Sequence, residues 1–176
     1  MRVETPDGLQ IHFRAIQPTD AGLLQEFFNS HSERTIVQRY LAHVRCLSPG
    51  QIRSFVDLDH ANEFALIGLI PCGERERIIG IGRYCAGPIK SEAEVALTVH
   101  DDFQRHGIGT FLLERLMKIA AGKGIGVFTA TVRADNLAMM HVFHKMASIM
   151  ETRLESDVYE VRFGTDSGNP ARAKNG

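Results

Sequence analysis

Residues 104–110 read Gln104-Arg105-His106-Gly107-Ile108-Gly109-Thr110, and this stretch joins an apolar run ending at Val99 to a pattern of apolar residues at helical spacing. A glycine has no Cβ, so its backbone can approach a ligand closely and adopt turn conformations that other residues avoid. Successive N–H groups at the start of a helix form a concave, partly positive seat for phosphate. The stretch therefore predicts a cradle for a pyrophosphate group.

Two common nucleotide-binding motifs do not fit this stretch. A P-loop requires Lys and then Ser or Thr after its last glycine, whereas Gly109 is followed by Thr110 and Phe111. The dinucleotide-binding fingerprint requires a third glycine three residues after the second, where this chain has Leu112. A glycine turn before a helix can also serve the turn alone. The motif alone does not distinguish a simple turn from a binding loop, so the surrounding sequence is needed.

The composition favours one globular domain. The chain has 176 residues, of which 44% are hydrophobic, enough for one core and too few for two ordinary domains. Lys and Arg number 20 against 21 Asp and Glu, so no strong overall field favours nucleic acid or an anionic membrane. Without a signal segment or a long apolar run, we expect a soluble, cytoplasmic protein. Residues 164–176 lack periodicity and are predicted to be a disordered tail after a domain over 1–163.

Neither a disulfide framework nor a metal site is indicated. The three cysteines are an odd number without Cys-x-x-Cys spacing, and the eight histidines lack the spacing of metal ligands. Basic residues in the N-terminal third could form a face for a protein partner, or they could only solvate helices. They are Arg34, Arg39, Arg45, His31 and His43.

The hydrophobic pattern alternates between strand and helix along the chain. Pro18 and Asp20 mark a helix start, and Ser48-Pro49-Gly50-Gln51 is a capping box that opens another helix. Three strand-like runs with short connections indicate an antiparallel meander. The predicted strands cover 9–14, 63–70, 77–84, 92–99, 127–132 and 158–163, and further helices cover 33–40, follow Gly109 and start at Asp135-Asn136.

This order of elements, with the pattern Gln/Arg-x-x-Gly-x-Gly/Ala at 104–109, resembles the GNAT superfamily of N-acetyltransferases over residues 9–163. The resemblance implies an α/β (α+β) fold whose mixed, mostly antiparallel sheet splays between its fourth and fifth strands. Several segments look more narrowly like the catalytic domain of Pat-type bacterial protein lysine acetyltransferases. They are 13–20, 47–49, 93–99 with 102–104, and 134–136 before Met139-Met140.

The resemblance implies acetyl-CoA as a substrate and coenzyme A as the product. The pantetheine arm would run along the strand 92–99, and backbone N–H groups of 104–110 would hold the pyrophosphate. Arg105 and His106 would add positive or polar character, and Asn136 would contact the cofactor from the next helix. The implied binding residues are Leu97, Thr98, Val99, Gln104, Arg105, His106, Gly107, Ile108, Gly109, Thr110 and Asn136.

Glu94 is the candidate general base. A lysine amine, with a pKa of about 10.4, must lose a proton before it attacks a thioester. Alternation places Glu92 and Glu94 together on the face of the strand opposite an apolar face that should pack on the core. Mutual repulsion and partial desolvation would make one of the two a stronger base. In the Pat-type group the base stands ten residues before the motif glutamine, as Glu94 does before Gln104; the alternative is a solvent-facing glutamate without a role.

The sequence departs from the family near the end of the domain. Phe143 stands seven residues after Asn136, where many GNAT enzymes carry a tyrosine that protonates the departing thiolate. The thiolate would leave unassisted, or with help from a group such as His144, which is otherwise a surface histidine. The Gly-Phe pair that usually follows this helix is replaced by Ala147-Ser148.

Together these features predict an acetyl-CoA-dependent N-acetyltransferase that acetylates a protein lysine, with acyl-CoA synthetases among the candidate substrates. Two alternatives remain open. One is an enzyme for a small amine such as a polyamine or an amino sugar, and the other is a coenzyme A binding module without catalysis. Pat-type proteins often carry a fused ligand-sensing domain, and no segment of these 176 residues is long enough to be one, so we do not expect regulation of that kind.

Overall fold

The computed structural model describes residues 1–146 and 149–166, and in them one sheet carries helices on both faces. The strands are β1 (Arg2–Glu4), β2 (Gln10–Ala15), β3 (Glu63–Cys72), β4 (Arg75–Ala86), β5 (Glu92–Val99), β6 (Val127–Arg133), β7 (Ile149–Glu155) and β8 (Val158–Gly164). The helices are α1 (Ala21–Asn29), α2 (Glu33–Tyr40), α3 (Pro49–Val56), α4 (Ile108–Gly122) and α5 (Leu137–Met146), with 3-10 turns at Pro18–Asp20 and Asp101–Phe103.

The sheet is mixed and mostly antiparallel, as predicted. Its order is β1-β2-β3-β4-β5-β6-β8-β7, and only the pair β5 and β6 is parallel among the described strands. A parallel pair needs a long crossover, which α4 provides. The pairing of β5 with β6 covers only Glu92↔Val127 to Glu94↔Thr129, and past this point the two strands separate. The predicted splay is therefore confirmed, between the fifth and sixth strands because β1 adds a strand at the N-terminus.

The two sheet faces are covered by different helices. The larger hydrophobic cluster joins α4 and α5 to one face, and the smaller one joins α1 and α3 to the other. In β5, Ala93, Val95 and Leu97 are buried in the larger cluster, while Glu94 is exposed. The predicted division of β5 into an apolar face and a polar face is confirmed.

Gly82 in β4 allows α4 to lie close to the sheet. A Cβ at this position would lie 2.8 Å from Leu116 Cδ1 and 2.8 Å from Leu97 Cδ2. Such contacts are too short for carbon atoms, so a side chain here would displace one of these leucines. The absence of a Cβ thus sets the distance between α4 and the sheet, and with it the position of the loop that precedes α4.

Most predicted elements are present with slightly different bounds, and two strands were not predicted. β1 has only 3 residues, and β7 is almost wholly exposed, so neither shows a period that marks a covered face. The described residues extend past position 163, where the predicted domain ends. β8 extends to Gly164, and the buried Thr165 hydroxyl donates a 2.6 Å hydrogen bond to the Ile125 carbonyl oxygen. Ala147-Ser148 and the predicted tail over 167–176 lie outside the described residues.

In residues 1–146 and 149–166, no helix combines the length and the apolar composition that crossing a bilayer requires.

Candidate functional site

The loop before α4 presents a row of backbone donors. Arg105 and Gly107 have left-handed backbone conformations, with φ of 68° and 79°. Gly107 caps α4, and its carbonyl oxygen accepts the N–H of Phe111 at 3.0 Å. Within the described residues, no N–H group from Arg105 to Thr110 donates a hydrogen bond. Free donors at the positive end of a 15-residue helix suit a pyrophosphate, as the glycine pattern predicted.

The side chains of this loop have different partners. Gln104 Nε2 donates to the Val99 carbonyl oxygen at 3.2 Å and so holds the loop against the end of β5. His106 Nδ1 lies 2.6 Å from a carboxylate oxygen of Asp7, in the turn between β1 and β2. The pKa of Asp7 is lowered, first by a hydrogen bond from Thr5 and then by His106. The His106 side chain is therefore engaged within the protein, and its backbone N–H is the group left for a ligand.

The three residues predicted to line the cofactor arm differ in what they expose. Leu97 is buried beneath α4. The Thr98 side chain lines a pocket on the opposite face of the sheet, under the N-terminal helices. Val99 borders the loop, since a Cβ at Gly109 would lie 3.8 Å from Val99 Cγ2 and also 3.8 Å from Val142 Cγ2 in α5. At Leu97 and Thr98, a ligand on the free edge of β5 would meet backbone rather than side chain.

Asn136 has a local structural role at the start of α5. Its Oδ1 accepts the backbone N–H of Met139 at 3.1 Å, which satisfies one of the unpaired donors at the helix terminus. The predicted helix start at this residue is confirmed. Contact between Asn136 and a cofactor stays a prediction.

Glu94 occupies the point at which β5 and β6 separate. It lies opposite Thr129 in β6 and opposite Cys85 in β4, and its side chain is exposed. Glu92, on the same face, forms an ion pair with Arg162 of β8. This arrangement corrects the expected repulsion between the glutamates, because Arg162 neutralises Glu92 and Glu94 is in contact with solvent. Glu94 is thus the free carboxylate of the two.

An open groove extends from Glu94 across the C-terminal half of the sheet. Its volume is about 330 Å³, and its floor consists of polar side chains from four neighbouring strands. No helix from the described part of the chain covers this groove, whereas α1 and α3 cover the same face over the N-terminal half. The groove gives a large acceptor access to Glu94. Its polar lining residues are Glu94, Thr129, Thr131, Glu151, Arg153, Glu160 and Arg162.

The groups considered for protonating a thiolate lie on α5. Phe143 is buried and packs against Phe163, with 5.1 Å between ring centroids. A phenyl ring in the core offers no proton at this position. His144 is exposed, and its Nδ1 contacts the Met140 carbonyl oxygen of the same helix at 2.7 Å. This geometry agrees with a surface histidine.

The three cysteines are free thiols. In residues 1–146 and 149–166, no group of three or more His, Cys, Asp or Glu side chains is arranged to hold a metal ion.

The structure brings together two arginines that the sequence did not connect. Arg34 and Arg45 are exposed, but Arg39 from α2 is only partly exposed and lines the same pocket as Arg83 from β4. Arg39 therefore does not belong to a basic outer face. Arg83 follows the polar alternation of β4 and could have been assigned to this face of the sheet. The position of α2 next to Arg83 depends on tertiary packing, so the sequence did not predict it.

Comparisons with known proteins agree on the family. The profile described as the Acetyltransferase (GNAT) family matches residues 25–147. Acetyltransferase PA5475 of Pseudomonas aeruginosa is 28% identical over 133 residues, which are 76% of this chain and 72% of that protein. Acetyltransferase Pat of Mycolicibacterium smegmatis is 28% identical over 148 residues, 84% of this chain and 44% of that protein. The chain thus spans less than half the length of this second relative.

Solved structures show the same fold. The crystal structure of the GNAT domain of S. lividans PAT superposes with a TM-score of 0.82 at 27% identity, covering 93% of this chain and 96% of that one. A more distant neighbour, yncA from Salmonella typhimurium with its cofactor acetyl-CoA, has a TM-score of 0.67 at 15% identity, covering 88% of this chain and 92% of that one. At this identity the second likeness concerns the fold alone.

Proposed function

We propose that this chain, which belongs to the acetyltransferase (GNAT) family, transfers the acetyl group of acetyl-CoA to a lysine ε-amine of a protein, with Glu94 as general base. The proposal depends on the order in which three features lie in space. The free N–H groups from Arg105 to Thr110 lead to the edge of β5 that β6 leaves unpaired, and this edge leads back to the exposed Glu94. A diphosphate, an extended arm and a proton acceptor are thus accommodated in the order in which acetyl-CoA and an amine require them.

In the proposed reaction the deprotonated amine nitrogen bonds to the thioester carbonyl carbon, and the carbon–sulfur bond breaks. Glu94 accepts the proton that the lysine ammonium loses before attack, directly or through water, and the nitrogen releases a second proton to solvent as the amide forms. The products are an N-acetyl amide and coenzyme A, whose thiolate takes a proton from solvent because the core phenyl of Phe143 cannot supply one. Backbone N–H groups on the free edge of β5 are available to stabilise the developing oxyanion.

Two arguments support a protein lysine as the acceptor. Segments 13–20, 47–49, 93–99 and 134–136 resemble those of Pat-type lysine acetyltransferases. In addition, no residue of a described helix lines the groove of about 330 Å³ beside Glu94, so a lysine on a protein surface can approach the carboxylate from the side of the sheet that these helices leave uncovered. Acyl-CoA synthetases are the first protein substrates to test.

The direct test compares Glu94→Gln with the wild type in acetyl transfer to lysine peptides. Removing the base should lower kcat/KM by about 100-fold or more, while calorimetry shows an unchanged affinity for acetyl-CoA. Glu151→Gln is the matched control, since it removes another carboxylate from the same groove and should leave turnover within about twofold. Full activity of the Glu94→Gln variant would exclude Glu94 as the base.

The phenylalanine at 143 favours a second candidate, a coenzyme A binding module without transferase activity. That function predicts tight binding of acetyl-CoA with no transfer to peptides, to proteins of a lysate or to free amines. Transfer to a polyamine or an amino sugar, without transfer to any peptide, would instead identify an enzyme for small amines.

A further inference from the structure

A pocket lies beside Glu94, between the N-terminal helices and the sheet. Its floor is formed by side chains that neighbour each other across β3, β4 and β5, and its walls come from α1, α2 and α3. By strand register, Cys85 lies opposite Glu94, and Arg83 lies opposite Ala96, two residues further along β5. The floor therefore begins on the neighbouring strand, offset from Glu94 by about 7 Å along the strand direction at a rise of about 3.3 Å per residue. The floor residues are Ala65, Ile81, Arg83 and Thr98.

Two arginines bring positive charge into this largely apolar pocket. Arg83 pairs with Glu63 at 3.0 Å, and its Nε is buried without a hydrogen-bond partner in the described residues. The Arg39 guanidinium lies 5.1 Å from the centroid of the Tyr40 ring and forms no ion pair with a described residue. Burial and the nearby charge of Arg83 lower the pKa of Arg39, and the charge of Glu94 opposes this shift. Glu63 thus neutralises Arg83, while Arg39 has the charge of Glu94 nearby but no direct ion pair with a described residue.

His31, which also lines the pocket, adds no positive charge to it. Burial lowers the pKa of His31, so the ring is neutral near pH 7. The buried Arg83 Nε is left with a hydrogen bond to donate, and a carboxylate offers a planar, two-pronged match to a guanidinium. The pocket therefore has the electrostatic character of a site for an anionic group.

The size of the cavity indicates which anionic group fits. Its volume is about 40 Å³, and one water needs about 10–15 Å³ measured in this way. This space is enough for a small anionic group such as a carboxylate. The remainder of the acceptor has to lie outside, towards Glu94 and the open groove.

We infer that Arg39 and Arg83 select acceptors in which a carboxylate accompanies the amine that Glu94 deprotonates. The inference rests on the proposed function and specifies its substrate class. An aspartate or glutamate beside the target lysine of a protein supplies such a carboxylate, and so does the α-carboxylate of a free amino acid. Arg39 acts as a specificity residue, because it contacts the anionic group and not the reacting atoms.

Kinetics with matched acceptors test the inference and separate its two sources. Three peptides place the target lysine between glutamate, glutamine or arginine residues, and free lysine is compared with lysinamide. A charge-assisted hydrogen bond should lower KM for the glutamate-flanked peptide about tenfold relative to the glutamine-flanked one. A preference for free lysine over lysinamide, without a preference among peptides, would assign the pocket to a free amino acid. Equal KM values in both comparisons would overturn the inference.

Variants on α2 provide the control for charge. Arg39→Gln should abolish the preference for the glutamate-flanked peptide while acetyl-CoA affinity is unchanged, and Arg39→Lys should retain part of it. Arg34→Gln removes an exposed arginine from the same helix and should preserve the full preference. Loss of the preference in Arg34→Gln as well would indicate a general surface-charge effect and contradict a role for the pocket.

A binding measurement on the wild type needs neither turnover nor a variant. An unreactive peptide, with norleucine in place of lysine and glutamate on both sides, is titrated into the coenzyme A complex. The NMR signal of the Arg83 Nε–H should shift with this peptide and not with its glutamine-flanked counterpart. No shift would overturn the inference. If the shift occurs but no peptide or amino acid is acetylated, the proposed function fails and the carboxylate site stands.

Discussion

The Asp101 carboxylate accepts a 2.7 Å hydrogen bond from the Thr35 hydroxyl, which connects α2 to the turn immediately before the glycine loop. Ser32 donates to the same carboxylate through its backbone N–H at 3.0 Å and its hydroxyl at 2.7 Å. Burial opposes ionisation of Asp101, but the hydrogen bonds from Ser32 and Thr35 lower its pKa below the ordinary value. The helix above the proposed acceptor pocket is thus anchored to the loop proposed for acetyl-CoA.

Asp101→Asn should destabilise the protein in a pH-dependent way. The folded-state pKa of Asp101 is lowered, so its contribution is fully present above the unfolded value of about 3.9 and is lost as pH falls through the folded pKa. We expect a loss of about 1–2 kcal/mol at pH 7, shrinking below about pH 4, measured by urea unfolding. The neighbouring Asp102→Asn, with a side chain 76% exposed, should show little loss at either pH. A pH-independent difference for Asp101→Asn would contradict this account.

Gly107→Val should weaken acetyl-CoA binding by more than tenfold. A β-branched residue at φ 79° is strained and would distort the row of N–H donors. The matched control is Gly124→Val at the other end of α4, where φ is 81° and a Cβ would likewise meet nothing within 4 Å. Both variants should lose stability, but calorimetry should show weaker acetyl-CoA binding only for Gly107→Val. Equal affinities of the two variants for acetyl-CoA would show that the loop before α4 does not bind the cofactor.

Gly82→Val should destabilise the protein by about 1–3 kcal/mol, because the new side chain collides with Leu116 of α4 and Leu97 of β5. The comparison is Gly22→Ala in α1, where a Cβ meets open space and φ is not positive. There the loss of unfolded-state freedom should stabilise the fold by about 0.4–1 kcal/mol. Thermal unfolding of both variants measures these opposite signs, and a neutral Gly82→Val would show that α4 can move away from the sheet without cost.

The pair of Arg14 and Asp20 should stabilise the junction between β2 and α1. Two nitrogens of Arg14 donate to the buried carboxylate at 2.7 and 2.8 Å, and the backbone N–H of Gln17 donates to it at 2.8 Å. Asp20→Asn leaves Arg14 partly buried without a counter-ion and should cost about 2 kcal/mol, less than a fully buried pair because Arg14 retains solvent contact. Arg14→Lys keeps the charge and should cost less. If the two variants lose equal stability, the two-pronged geometry accounts for the whole contribution and charge alone for none of it.

The order of the elements could be predicted because each long element has a clear period or end signal. Helix α2 has the bounds that were predicted, and the Ser48 capping box is formed, with Ser48 Oγ accepting from the Gln51 N–H at 3.2 Å. The alternation in β5 correctly separated the buried face from the face of Glu94. By contrast, β7 could not be predicted because it is an edge strand that is exposed on nearly every residue, so no buried face imposes a pattern on it.

The candidate site was only partly predictable. The glycine loop was identified because its chemistry is local, with free N–H groups that follow from a left-handed turn before a helix. The pairing of Glu92 with Arg162 was not, since the two residues are 70 positions apart in the chain. Arg39 and Arg83, which line one pocket, are also far apart in the chain, and so are His106 and Asp7. Their proximity could therefore not be predicted either.

The sequence alone therefore determined the succession of strands and helices, the glycine loop and the face on which Glu94 lies, because periodicity and backbone freedom depend on neighbouring residues. The tertiary structure decided which glutamate remains unpaired, which arginine turns inward and how the N-terminal helices are anchored to the loop. These relationships depend on ion pairs and packing between segments that are far apart in the chain, and only the folded sheet brings such segments within hydrogen-bonding distance.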